Sequence, residues 1–204
     1  MPLTRRRFLE LSSTLTALAP LALTSVDDGQ QGLEQFAISA PPCKDGDLTP
    51  AVKGLTGNDA FRAGAPARTS IADANEAGSR LTLTGTVIGL TCGRIKGARV
   101  DFWQADARGV FDPSGVRLRG HQLTDAEGRY RLVTIVPGST DGRAPFIGIR
   151  VEVPKKVTFE TAAFLADDPR NAKDPRFRPG LAMKSVVAPR RDERAAIFDI
   201  VLDL

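Results

Sequence analysis

The chain has 204 residues, 42% of them hydrophobic and 25% charged, which suits one domain with a packed core and excludes a disordered polar chain. Its net charge is +4, but Arg5, Arg6, Arg7 and Glu10 lie in an N-terminal segment, and the rest of the chain carries only +2. That balance is weak support for nucleic acid, and aromatic residues are not interleaved with basic ones in the way that stacks bases.

Residues 1–26 read as an export signal. A basic stretch, Thr-Arg-Arg-Arg-Phe-Leu over residues 4–9, precedes an apolar, small-residue run over 11–23. That run is shorter than the roughly 20 residues needed to span a bilayer. The order matches the twin-arginine (Tat) pattern, which exports folded proteins. Residues 27–77 are rich in Gly, Pro, Asp and Ala with short apolar runs, and are expected to form a loose arm over the domain.

The domain proper is expected over 78–204. Leu81, Leu83 and Val87 share one parity, which is strand periodicity. A turn over 93–97 leads to a second strand holding Val100, Phe102 and Trp103. His121 falls between strands, in Arg-Gly-His-Gln. Asp-Ala-Glu-Gly over 125–128 makes a turn with Gly at its end, where a positive φ is often wanted. Residues 130–136 form the third strand, closed by Pro137 and Gly138. Phe146–Val153 forms the fourth: Ile147, Ile149, Val151 and Val153 point one way, and Phe146, Gly148, Arg150 and Glu152 the other. A further strand is expected over 158–165. Residues 167–180, with three prolines and many charges, read as a surface loop. Residues 195–204 close the chain as one strand, with Phe198, Ile200 and Leu202 on one face. Short apolar runs separated by turns at a spacing of roughly 8–12 residues indicate an all-β chain, a β-sandwich.

Several of these stretches carry a resemblance. GARVDFWQADARGVF (97–111) is similar to a strand and turn of the form G-A-x-V-x-x-W-Q-A-x-A-x-G-x-Y. RGHQLTDAEGRYRLVTIVPG (119–138), TAAFLADDP (161–169) and FDIVL (198–202) follow in the same order as their counterparts. Together they resemble the intradiol ring-cleavage dioxygenases, the catechol and protocatechuate enzymes, and imply that family's β-sandwich. The resemblance also implies a non-haem ferric ion held by two Tyr and two His. The first Tyr falls at Phe111 and the second at Thr140, while the paired His fall at Phe146 and Gly148. A family Gln falls at Ala162, and a family Arg is retained as Arg143. The composition agrees: the chain has one Tyr, Tyr130, and one His, His121, too few for two Tyr and two His or for two His and a carboxylate.

The resemblance and the composition therefore predict an exported family member without the ferric site, with no metal or other cofactor expected. Its function would be non-catalytic, in small-molecule binding or interaction, with a small aromatic ligand as partner. The alternative is an oxidoreductase of the intradiol class, or another enzyme in the remodelled pocket, with His121, Arg143 and Thr140 as the polar groups near it. Phe111 and Phe146 either wall an apolar cleft or fill it. Trp103 and Tyr130 read as core. Asp167, Asp168 and Asp174 could ligate a hard cation, but are more simply solvating loop residues. Nucleic acid is not an expected partner, no stable membrane span is expected after export, and the oligomeric state stays open. Cys43 and Cys92 are expected to pair as a disulfide in an oxidising compartment, periplasmic or extracellular. Replacing Arg5 and Arg6 by Lys is expected to hold the precursor in the cytoplasm, as cell fractionation would show; export at the normal level would end the Tat reading.

Overall fold

The computed structural model describes residues 48–53, 55, 59–91, 93–153, 157–191 and 193–204. Cys43, Cys92 and the 1–26 segment lie outside them. Nine strands are described: β1 (Arg80–Gly89), β2 (Arg99–Gln104), β3 (Arg119–Leu123), β4 (Arg129–Ile135), β5 (Phe146–Val153), β6 (Val157–Leu165), β7 (Ala182–Val186), β8 (Glu193–Ile197) and β9 (Ile200–Leu202). They run in the order β3-β2-β5-β6-β7-β8-β1-β4, with β9 on β1. β7 makes the corner: its first residues pair with Phe164 and Leu165 of β6, and its last three with β8. One layer is therefore β3-β2-β5-β6 and the other β8-β1-β4, the all-β sandwich read from the sequence.

Alternation fixes which side chains meet between the layers. In β1, Leu81, Leu83 and Val87 are buried. In β2, Val100, Phe102 and Gln104 face inward: the Phe102 ring lies 5.4 Å from that of Tyr130. Gln104 donates to the Ile135 carbonyl at 2.9 Å and accepts from Thr134 at 2.8 Å. Ile147, Ile149 and Val151 of β5 are fully buried on the same side. The opposite face of β5 carries Phe146, Gly148, Arg150 and Glu152; it is buried at Phe146 and Gly148 and opens to solvent at Glu152. Residues 48–52 run along the edge of β6, where Val52 N–H donates to the Glu160 carbonyl and the inward-facing Thr161 hydroxyl to that of Pro50. Asp59 lies on the outer face, its carbonyl accepting from the Trp103 indole N–H.

Three sequence expectations change. His121 does not lie between strands but within β3, opposite Asp101 of β2. β3 is short and polar, so alternation did not reveal it. The single closing strand is two, β8 and β9, because at residues 198–199 the Asp199 carboxylate accepts from Thr86 N–H at 2.9 Å where a backbone carbonyl would continue the ladder. Residues 167–180 are not merely a surface loop. Two 3-10 turns, Pro169–Lys173 and Pro179–Leu181, fold there, and Asn171 and Asp174 are buried.

The terminal strands β3 and β4 leave backbone groups unpaired at the ends of the order, a liability that folds must cover. Residues 66–71 do so for both. His121 N–H donates to the Pro66 carbonyl and Arg68 N–H to that of His121; Val133 N–H donates to Thr69 and Ile71 N–H to Val133, all at 2.8–3.0 Å. Ile71 anchors this strap in the core with 1% of its surface exposed. Ile71→Ala is expected to destabilise the fold by about 2–5 kcal/mol, read as a lower urea midpoint at unchanged slope; an unchanged midpoint would mean that the strap is only draped on the sandwich.

Candidate functional site

Four chain segments converge on the outer face of the β2–β5–β6 layer. The loop after β2 brings Phe111. The loop before β5 brings Thr140 and Arg143. β5 itself brings Phe146 and Gly148, and residues 166–181 fold across them with Asp174, Arg176 and Phe177. The first two loops are clamped together. Gly138 N–H donates to the Asp106 carbonyl at 2.8 Å, and the Thr140 hydroxyl donates to that of Gly109 at 2.8 Å. Gly109 has φ +85°, and a Cβ there would lie 1.8 Å from the Ser139 carbonyl oxygen, so only glycine allows the approach. The Asp106 carboxylate accepts from Arg108 N–H, Val110 N–H and the Arg117 guanidinium, each at 2.9 Å. Burial alone would raise this carboxyl's pKa, but those hydrogen bonds outweigh it and hold it below the usual range.

The phenylalanines form a continuous chain of rings. Phe111 to Phe146 is 5.9 Å, Phe146 to Phe164 is 5.8 Å, and Phe164 to Phe177 is 5.6 Å. The Arg176 guanidinium carbon lies 4.7 Å from the Phe146 ring centre, a cation–π contact. Arg176 also holds Asp174 through two bonds of 2.7 and 3.0 Å, and reaches Asp59 at 3.3 Å. Arg143 meets the same Asp59 oxygen at 3.4 Å and Asp141 at 3.7 Å. Asp174 accepts from Ala144 N–H as well, at 3.2 Å. Burial would push the Asp174 carboxyl up, but the hydrogen bonds and charge of Arg176 outweigh it, and its pKa is lowered.

Gly148 sits opposite Trp103 in the β2–β5 register. A Cβ at 148 would lie 2.2 Å from the indole Cε2, so the Trp103 ring occupies the space a side chain there would need. Beside this filled region a cavity of about 340 Å³ remains, lined by Asp59, Gly109, Val110, Phe111, Thr140, Asp141 and Arg143. Phe111 thus walls an opening, whereas Phe146 is not in its lining and stays buried beneath Arg176. Ala162 pairs with Gly148 across β5 and β6 and is fully buried. His121 is not part of this lining; its Nδ1 donates to the Ala65 carbonyl at 2.7 Å. Asp168 holds Arg170, and Asp174 is engaged by Arg176, so these two loop carboxylates are paired with arginines. Among the described residues, no group of three or more His, Cys, Asp or Glu gathers as a metal site would.

Comparisons with known proteins fit this geometry. A family model described as Dioxygenase matches residues 58–149. The fold superposes with a TM-score of 0.71 on the dioxygenase domain of a dioxygenase–carbohydrate-binding protein fusion from the cellulolytic bacterium Streptomyces sp. SirexAA-E. The two are 37% identical, over 77% of this chain and 99% of that one. The chain belongs to the intradiol ring-cleavage dioxygenase family. It is also 36% identical over 73 residues to the protocatechuate 3,4-dioxygenase beta chain of Burkholderia cepacia, a match spanning 31% of that protein and 30% of this chain. An intradiol ring-cleavage dioxygenase from Tetranychus urticae shares the fold at 24% identity with a TM-score of 0.67, over 76% of this chain and 94% of that one.

The family resemblance implies a ferric ion, and the side chains at the four positions where that resemblance puts its ligands do not fit one. Phe111 and Phe146 carry no donor atom, and Gly148 has no side chain. The Thr140 hydroxyl already donates to a backbone carbonyl. A guanidinium lies over Phe146, and its charge would oppose a second cation there.

Residues 59 and 176 were not singled out in the sequence. Nothing local marks them: they are 117 residues apart, and their role arises only from the fold. The Asp174 side chain is fully buried with Arg176 as its partner. Arg176→Gln is expected to cost about 3–5 kcal/mol, because it leaves a buried carboxylate uncompensated. Asp174 has its pKa lowered by folding from an unfolded value of about 3.9, so its contribution is present above that pH and lost as pH falls through the folded value. The acid sensitivity of the unfolding midpoint should therefore shrink in the variant; equal stability and equal acid sensitivity would refute this role for Arg176.

Proposed function

We propose that this family member works without the ferric ion: a protein exported through the twin-arginine route that binds a small aromatic molecule in the cavity beside Phe111, Thr140 and Arg143. The observation that carries the reading is the Arg176 guanidinium over Phe146, held there by Asp174. A fixed positive charge and two hydrocarbon rings stand where the family resemblance implies a phenolate and an imidazole. The cavity supplies one aromatic wall, Phe111, with Val110 in the same lining, and polar groups at Asp59, Thr140, Asp141 and Arg143 to fix a ligand's orientation. In this reading Arg143 and Thr140 orient a ligand and move no electrons.

A second reading is that catalysis persists, as an intradiol oxidoreductase or through another chemistry in the altered pocket. Its support is the 37% identity to a dioxygenase domain over nearly all of that domain's length. One experiment separates the two. Purified full-length protein is assayed for iron, for visible absorption and for catechol ring opening, and is titrated with 4-hydroxybenzoate while the fluorescence of Trp103, the single tryptophan, is followed. The expected result is iron far below one per chain, no ring-opened product and a saturable change in emission. Stoichiometric ferric iron or catechol turnover would overturn the proposal in favour of the second reading.

A further inference from the structure

The Asp59 carboxylate lies between two guanidinium groups, with one oxygen 3.4 Å from Arg143 and 3.3 Å from Arg176. Both contacts are long for charge-assisted hydrogen bonds, which run at about 2.7–2.9 Å. Arg176 holds its other partner, Asp174, at 2.7 Å. Asp59 is therefore the loosely held member of the cluster, and it lines the cavity. Its backbone is fixed independently, because its carbonyl accepts from the Trp103 indole at 2.8 Å. A rotation about its side-chain bonds would release the carboxylate from both arginines without moving the chain.

We infer that Arg143 and Arg176 form a seat for the carboxylate of a small ligand, and that Asp59 occupies this seat as a built-in competitor. The inference rests on the reading of the cavity as a ligand site and adds the ligand's chemical class. At rest the lining carries Asp59 and Asp141 against one arginine, which disfavours an anion. When Asp59 swings aside, Arg143 and the Nη1 of Arg176 face the incoming group, while Asp141, largely in solvent, screens them little. A cavity of about 340 Å³ holds a single-ring acid.

The test compares benzoate with benzamide, the same ring bearing a neutral amide, by equilibrium dialysis against the full chain and Asp59→Asn. If the seat is open about a tenth of the time, removing the competitor should tighten benzoate about tenfold and leave benzamide within about twofold. An equal gain for both ligands would show that the substitution only made room. No gain for benzoate, with wild-type binding intact, would overturn the seat while leaving the cavity reading standing. If neither ligand binds either protein, both readings fail. Should Asp59→Asn not fold, Arg143→Gln serves instead: it should weaken benzoate binding and leave benzamide within about twofold, and an equal effect on both ligands, or none on benzoate, would overturn the inference.

Discussion

The site region depends on one buried cation. The Arg176 guanidinium rests on the Phe146 ring, binds Asp174 through two of its nitrogens and touches Asp59. Asp174 in turn caps Ala144 N–H in the loop before β5. Three stretches distant in sequence, at residue 59, residues 144–146 and residues 174–176, are thus joined around one guanidinium. A carboxylate as buried as Asp174 is tolerated because a matched partner is locked against it, and the partner is locked because an aromatic face lies beneath it. The polar cluster and the apolar ring chain are therefore a single unit.

This unit decides between the two fates open to the phenylalanines. Phe146 is covered and joins Phe164 and Phe177 in the core, as close packing favours. Phe111 is held at the end of a clamped loop and keeps one side toward the cavity. The two rings lie 5.9 Å apart yet have different roles, and the difference comes from Arg176, which sits on one and not the other. Filling and opening coexist within the same few residues.

Much of the fold was legible because its strands keep strict alternation or run apolar between Pro and Gly. Phe146–Val153 was read at its true ends for that reason. β3 and β7 were missed, since RGHQL and AMKSV are short and partly polar. Such strands are set by their neighbours: β3 by β2 and the strap, β7 by its turn between layers. Positions 111, 140, 146 and 148 were singled out through motif order. The arginine and aspartate cluster was not, because no period or spacing joins Asp59 to Arg143 and Arg176. Those contacts follow from residues 59–61 and 166–181 folding over the same face, and only tertiary structure reveals that.

The contact between Trp103 and Gly148 has a consequence for the mutational paths open to this chain. Every amino acid but glycine brings a Cβ to position 148, and the indole stands 2.2 Å from where that atom would be. The indole is itself tethered through its N–H to Asp59 and packed edge-on against Phe61, with centroids 5.7 Å apart. A new side chain at 148 would have to evict the tryptophan, and with it the segment that the tryptophan holds. The position thus behaves as a ratchet: any single substitution into it is penalised until a second, at 103 or in residues 59–61, has made room.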